Sequence, residues 1–401
     1  MKGTSERTYL TTHPWIDFRL DLRRIPARVW MQLGAAAADA EHIANSMLKP
    51  ETGEALHQLF LAKGVHATTA IEGNTLSEDD ALREIQGTLE RPPSQQYLVQ
   101  EIRNVIDAAN AIKGELVDSS GISPRLTREK IEHFNAMVLR DLPVDDSTVP
   151  GEVRGHSVGV ARYRGAPAED CEYLLDRLCG WLNESDLNAE DPEGLVPFAI
   201  LKAIVAHLYV AWIHPFGDGN GRTARLVEVQ ILLAAELPAP ASHLLSNHYN
   251  LTRGEYYRQL DLASRRSDPI PFVEYAVRGL LDGLREALAT IRAQQFEDRW
   301  EQYVYETFGE LKTGADRRRL RLALELTAQY QETLEPTPKR GLRHLSPALS
   351  EAYAGKTTKT LTRDVNALLA MGLIEASDHG YVPRDWVILT FRPDRRDAGG
   401  D

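Results

Sequence analysis

One run of twelve positions, His214-Pro215-Phe216-Gly217-Asp218-Gly219-Asn220-Gly221-Arg222-Thr223-Ala224-Arg225, constrains this chain more than any other stretch. It brings together an imidazole, a carboxylate, a glycine-rich run and two guanidiniums. Gly217, Gly219 and Gly221 permit backbone angles that other residues resist, so successive N–H groups can turn inward and form a nest for anionic oxygens. Thr223 to Leu233 then reads as a helix with Leu226, Val229, Ile231, Leu232 and Leu233 as its apolar residues. The loop therefore delivers an anion to a helix N-terminus, where unsatisfied N–H groups and the helix dipole favour negative charge.

Each part has a chemical use. His214, with an ordinary pKa of about 6.5, can take a proton from a hydroxyl near neutral pH. Asp218 offers a hard oxygen of the kind Mg²⁺ takes together with substrate phosphates. Arg222 and Arg225, three apart, can fork onto phosphate oxygens. The set points to phosphoryl or nucleotidyl transfer, in which positioning and charge neutralisation carry most of the catalysis. The G-x-x-x-x-G-K-[ST] spacing of a P-loop is absent, as is the H-E-x-x-H of a zinc protease.

The stretch resembles the Fic motif, H-x-F-x-[DE]-G-N-G-R-x-x-R, at every fixed position. The resemblance implies a mostly helical Fic fold that transfers AMP from ATP to a protein hydroxyl and releases pyrophosphate. By it, His214 is the general base for a target Tyr, Thr or Ser, Phe216 anchors the loop, and Asp218 holds Mg²⁺ between the α- and β-phosphates. The implied nucleotide-binding set is Gly219, Asn220, Gly221, Arg222, Thr223, Ala224 and Arg225, with Arg225 reaching the γ-phosphate. Downstream, Glu255-Tyr256-Tyr257 resembles an E-Y-Y common in the family, which makes Tyr257 the implied adenine-site residue. Ser264 departs from the Asn of some relatives near the base. Glycine at 221, where Doc-type motifs tend to carry Lys, favours AMP transfer over transfer of phosphate.

By itself Thr68-Thr69-Ala70-Ile71-Glu72-Gly73-Asn74 is a helix end with a Gly-Asn stop. Beside the Fic motif it resembles the family's inhibitory motif, [ST]-x-x-x-E-[GN]. By that resemblance Glu72 pairs with Arg225 and takes the place of the γ-phosphate, which puts the chain in a self-inhibited class. In some relatives the same Glu positions a water that removes AMP from the target.

The 401 residues, 43% hydrophobic, suit two or three domains at roughly 150 residues each. No apolar run approaches the roughly 18 residues of a membrane helix on this reading, so a cytoplasmic protein with no membrane partner is expected. Cys171 and Cys179 are too few for a disulfide framework and read as core thiols. The net charge of −12 argues against nucleic-acid binding by the chain as a whole.

Along the chain, helices are expected at 26–47, at 56–71, after a cap at Ser77, at 96–112 and after a cap at Thr127. Residues 150–154 and 158–163 read as the strands of a hairpin. By the resemblance this is the flap on which a target protein docks, near residues 150–166, by adding a strand. Helices follow at 171–182 and 195–212, the second strongly apolar and aiming His214. His207, seven residues before His214, reads as a core histidine. A closing helix is expected at 269–291. Beyond it, helices at 346–355 and 357–371 and a β-wing at 373–382 resemble a winged helix-turn-helix. Residues 311–401 hold 15 Lys and Arg against 12 Asp and Glu, a mild excess that permits DNA contact through Lys356, Lys359 and Arg363. The expected organisation is 1–115, an N-terminal helical region with the inhibitory helix; 116–292, the Fic catalytic domain; and 293–401, a linker helix and winged-helix-like domain. Two functions stand, a self-inhibited adenylyltransferase using ATP and Mg²⁺, with transfer of another nucleotide or of phosphate as the alternative chemistry, and a DNA-binding regulator that senses nucleotide. A homodimer is left open.

Overall fold

The computed structural model describes residues 7–118, 125–160, 163–189 and 191–389. The chain divides into two compact units, Met1–Ile291 and Arg292–Asp401. In the first, helices follow one another as α1 (Tyr9–Thr12), α2 (Ala27–Ala44), α3 (Pro50–Ile71), α4 (Glu78–Ile85), α5 (Gln96–Asp118) and α6 (Arg128–Leu139). A two-stranded hairpin, β1 (Gly159–Val160) and β2 (Tyr163–Arg164), comes next, then α7 (Ala168–Glu184), α8 (Pro192–Ile213), α9 (Asn220–Ala234), α10 (Ala239–Ser242), α11 (Leu244–Leu251), α12 (Arg253–Arg266) and α13 (Ile270–Phe308).

α8 is the centre of this unit. It is apolar on every side because α2, α7 and α9 all pack against it, so no face needs to be polar. By length and composition α8 is apolar enough to cross a membrane, which corrects the expectation that no run approaches that limit. Of its most apolar window, 72% is buried inside the fold. α7 brings Cys171 and Cys179 into the same core as free thiols. Burial raises both, to about 11 and about 12, which keeps them protonated and inert.

The capping expectations hold at α4, where Ser77 accepts from the Asp80 N–H and Asp80 answers the Ser77 N–H, and at α6, where Thr127 accepts from the Lys130 N–H. α3 starts at Pro50, earlier than the apolar pattern suggests, and stops at Glu72, where Gly73 takes φ +103°. Only glycine accepts such an angle without strain.

The hairpin differs from expectation. Its pairs are Gly159 with Arg164 and Val160 with Tyr163, so the whole hairpin lies within the second predicted segment and one residue past it, and none of it in the first. Ala161 and Arg162 of that segment lie outside the described residues. Residues 150–154 form no strand because their polar groups are bonded elsewhere. Gly151 N–H donates to Asn135 and Arg154 N–H to the Pro215 carbonyl.

The second unit contains the end of α13, which runs on past the expected stop at 291, and then α14 (Gly314–Thr333), α15 (Pro347–Ala352), α16 (Thr358–Ala370), β3 (Ile374–Ser377) and β4 (Gly380–Pro383). β3 and β4 pair antiparallel, and Thr337 bridges Tyr381 on the far side of β4. Trp300, Leu326, Leu342, Val365, Leu368 and Leu373 belong to its separate core.

Candidate active site

His214 stands where α8 ends. Its backbone is left-handed, φ 51° and ψ 58°, a conformation that costs an L-residue about 1–2 kcal/mol and that glycine usually takes at helix ends. An imidazole in glycine's place is strain held at a functional position. The restraint comes largely from Arg154, itself only 4% exposed. Its Nε donates to the His214 carbonyl at 2.7 Å, Nη1 to His156 O at 2.5 Å, and Nη2 to Ala166 O at 2.6 Å. Burial and the nearby Arg154 charge push the His214 imidazole down to about 4, against smaller upward pulls from the Ala211 carbonyl, Glu72 and Asp218. The ring is therefore neutral at neutral pH and free to accept a proton.

The loop after His214 is tied from within. Phe216 is fully buried, and the Asn220 side chain bonds the Phe216 backbone twice, accepting from its N–H and donating to its carbonyl, both at 2.9 Å. Asn135 on α6 donates to Asp218 O at 2.9 Å and to Thr223 Oγ1 at 3.2 Å. A Cβ at Gly217 would collide with Thr148. Gly219, at φ +74°, is the N-cap of α9 and no side chain caps that end. The first N–H groups of α9 are thus open to an anion.

The anion over that turn is the chain's own. Glu72 Oε1 lies so close above Gly221 that a Cβ there would collide with it, and it accepts from Arg225 Nη2 at 2.5 Å. The same nitrogen donates to the Thr68 carbonyl at 3.0 Å. Arg225 is 1% exposed, whereas the Glu72 side chain keeps 32% of its surface in solvent. Burial raises the Glu72 carboxyl, but Arg225 and, less strongly, Arg222 and His214 outweigh it and hold it below the usual range.

Arg222 is held separately, with Nη1 3.3 Å from Glu101 and Nη2 3.5 Å from Asp218. Asn74 donates to Glu101 at 2.8 Å and so joins the segment after α3 to α5. Asp218 is half exposed, and its Oδ1 accepts from Gly219 N–H. Such a carboxylate, beside an open anion seat, fits the sparse protein ligation of Mg²⁺, which takes its remaining oxygens from phosphates and water. Among the described residues no group of three or more metal-ligating side chains occurs, so the ion would depend on the nucleotide's oxygens.

Tyr257 is 41% exposed, with its hydroxyl 3.4 Å from the Ile71 carbonyl at the end of α3. Ser264 is buried and donates to Asp261 O. His207 is a core residue, 2.9 Å from Tyr256 OH and 3.3 Å from Glu228. The structure therefore gathers His214, Asp218, Gly219 to Arg225 and Glu72 around one turn of helix, with Tyr257 beside the end of α3. The sequence reading gave no site role to Arg154, Asn135, Asn74 and Glu101: it took Arg154 as part of a strand and Asn74 as part of a helix stop, and no motif marks Asn135 or Glu101.

Residues 125–232 match the model of the Fic/DOC family. Protein adenylyltransferase fic-1 of Caenorhabditis briggsae is 30% identical over 217 residues, 53% of this chain and 38% of that protein. The chain therefore spans well under half the length of this curated relative. A crystal structure of a Fic family protein from Desulfovibrio desulfuricans superposes with a TM-score of 0.55 at 20% identity, covering 94% of this chain and 99% of that one. Residues 134–508 of Fic-1 from Caenorhabditis elegans give 0.53 at 22% identity, covering 67% of this chain and 74% of that one. These likenesses establish the helical Fic fold.

Proposed function

On the premise of a Fic/DOC domain at residues 125–232, we propose that the chain is a self-inhibited protein adenylyltransferase, moving AMP from ATP to a Tyr, Thr or Ser hydroxyl of a target protein. One observation carries the reading: the carboxylate over the uncapped first turn of α9 is the chain's own Glu72, gripped by Arg225. An anion seat filled by an internal acid is a seat for an external anion once that acid withdraws. The names of the curated relatives support adenylyl transfer as the chemistry.

With Glu72 displaced, Gly219 to Ala224 cradle the phosphates, Arg225 takes the terminal one, and Tyr257 borders the base. The target oxygen bonds to the α-phosphorus while His214 takes its proton. The bond from that phosphorus to the β-phosphate oxygen breaks, and pyrophosphate leaves with the electron pair. Arg222 and Arg225 neutralise charge throughout. Mg²⁺ held by Asp218, when bound, supplies further neutralisation of the phosphates. The hairpin of β1 and β2, within the segment 150–166 where the target is expected to dock, would offer it an edge strand. The reading extends to the reverse reaction, in which Glu72 would direct a water at the AMP–protein bond, as in some relatives of the family. The second unit's helices and paired strands support a winged helix whose α16 exposes Lys359 and Arg363; it serves protein contact, self-association or DNA.

The test is incubation of wild type, Glu72→Gly and Glu72→Gly/His214→Ala with α-labelled ATP, Mg²⁺ and cell lysate. Strong label with Glu72→Gly, weak label with wild type and none with the double variant is the expected pattern. Label from γ-labelled ATP instead would mean phosphate transfer. Silence from both would sink the transferase reading and favour a nucleotide-sensing DNA regulator, whose duplex binding would fall steeply with salt.

A further inference from the structure

Behind Arg225 lies a polar cluster that the proposed reaction does not use. Glu228 follows Arg225 by three positions on α9, so the two side chains leave neighbouring points of one helix face. Both are 1% exposed. Glu228 Oε1 accepts from Tyr249 OH at 2.8 Å and lies 3.3 Å from His207 Nδ1. His207 Nε2 is 2.9 Å from Tyr256 OH, and the Tyr249 and Tyr256 rings stack with centroids 4.7 Å apart. Tyr256 and Glu228 both favour the charge on Arg225, Glu228 without a direct ion pair to it. Within this cluster Glu228 Oε2 and Arg225 Nε and Nη1 make no hydrogen bond among the described residues. Two carboxylates thus bear on Arg225: Glu72, which it bonds, and Glu228, buried three positions further along α9.

In a site so dry, an added negative charge a few ångströms away lowers the potential that a guanidinium offers to any other anion. We propose that Glu228 is the internal counter-ion of Arg225 and sets how firmly that arginine grips the anion over α9, whether Glu72 in the closed protein or a terminal phosphate in the open one. Glu228 touches neither nucleotide nor target and acts only through Arg225, as a positioning residue. The inference rests on the nucleotide-transfer reading above and names the regulator of its lock.

Glu228→Gln removes the charge and keeps the shape and an acceptor for Tyr249. The expected size is about fivefold, read in nucleotide affinity, because in the wild type the grip on Glu72 and on an incoming terminal phosphate would rise together. In the Glu72→Gly background it should raise affinity for a non-hydrolysable ATP analogue by about the same factor, while affinity for ADP, which lacks the terminal phosphate, moves less than about twofold. Damage to the fold would weaken both nucleotides together. An unchanged ratio of ATP-analogue to ADP affinity, or a parallel loss of both, overturns the inference. If Glu72→Gly binds neither nucleotide, the transfer reading fails alone, and the coupling between Glu72→Gln and Arg225→Met in urea denaturation decides this one. That coupling should grow when Glu228→Gln is added, and an unchanged value overturns it. Should Glu228→Gln not fold, Tyr249→Phe tests the opposite sign. Without the phenol the carboxylate bears harder on Arg225, so ATP-analogue affinity should fall about threefold with ADP unmoved, and no fall overturns the inference.

Discussion

Gly221 lies directly beneath the Glu72 carboxylate, with no room for a methyl group between the Gly221 Cα and Glu72 Oε1. The absence of a side chain at 221 is therefore what lets the Glu72 carboxylate reach Arg225 over the start of α9. Gly221→Ala should push the carboxylate off Arg225 and cost about 1–2 kcal/mol in urea denaturation, the scale of a partly shielded charge-assisted pair. In the Glu72→Gly background the loss should shrink, because the methyl then meets only Arg225 Nη1, at 3.2 Å, and the helix propensity of Ala over Gly, up to about 1 kcal/mol, works against that contact. Equal losses in both backgrounds would show that the methyl clashes with something other than Glu72.

The two most strongly shifted histidines give the protein an acid-sensitive stability. His214 and His243 both lie at about 4, the first through burial and Arg154, the second through burial and then His57. Each folded value is below the unfolded value of about 6.5, so the unfolded chain binds protons first. Stability should fall as pH drops from about 6.5 toward 4, with the fully buried His243 giving up to about 1.4 kcal/mol per pH unit. His243→Gln should flatten the slope of unfolding free energy against pH between 6 and 4.5 by close to one proton.

For activity the same shift has the opposite flavour. A base that stays neutral down to about 4 should let Glu72→Gly label its target at a nearly constant rate from pH 8 to 5.5. A rate that halves near pH 6.5 would mean that His214 titrates as an exposed imidazole and that its burial does not govern the base.

Arg154 should be as indispensable as the motif it holds. Its guanidinium satisfies carbonyls of His156, Ala166 and His214 together, and its own N–H reaches Pro215. Lys keeps the charge but not the planar fork. Arg154→Lys should cost about 2–3 kcal/mol of stability by leaving buried acceptors unmet, and labelling should fall at least tenfold because His214 loses the restraint on its left-handed backbone. A variant that stays fully active would show that α8 alone aims the imidazole.

What could be read in the sequence was local. The loop from His214 to Arg225, the α9 helix and the caps at Ser77 and Thr127 depend on residues within a few positions of one another, and periodicity and capping chemistry resolve them. The contacts that make the loop a site span far more chain, 153 residues from Glu72 to Arg225 and 121 from Glu101 to Arg222. Glu72 was found only because a motif marks it. Glu101, on a solvent-edge position of an amphipathic helix, carries no local mark. The segment 150–154 misled because β-propensity records packing on a pleated surface, and here tertiary bonds from Arg154 and Gly151 replace a strand ladder.

Asp218 supplies the last prediction. Its side chain is half exposed, and its contact with Arg222 is long, 3.5 Å, so little holds it from a cation. An exposed pair of that length contributes under about 1 kcal/mol, and Asp218→Asn should leave thermal stability almost unchanged. The effect should fall on the ion, since a neutral amide is a poorer partner for Mg²⁺ than a carboxylate. In the Glu72→Gly background, the Mg²⁺ concentration for half-maximal labelling should rise at least tenfold, while ATP-analogue binding measured with EDTA present stays within about twofold. An unchanged Mg²⁺ requirement would remove Asp218 as the metal's ligand, and a loss of metal-free binding would make it a nucleotide contact instead.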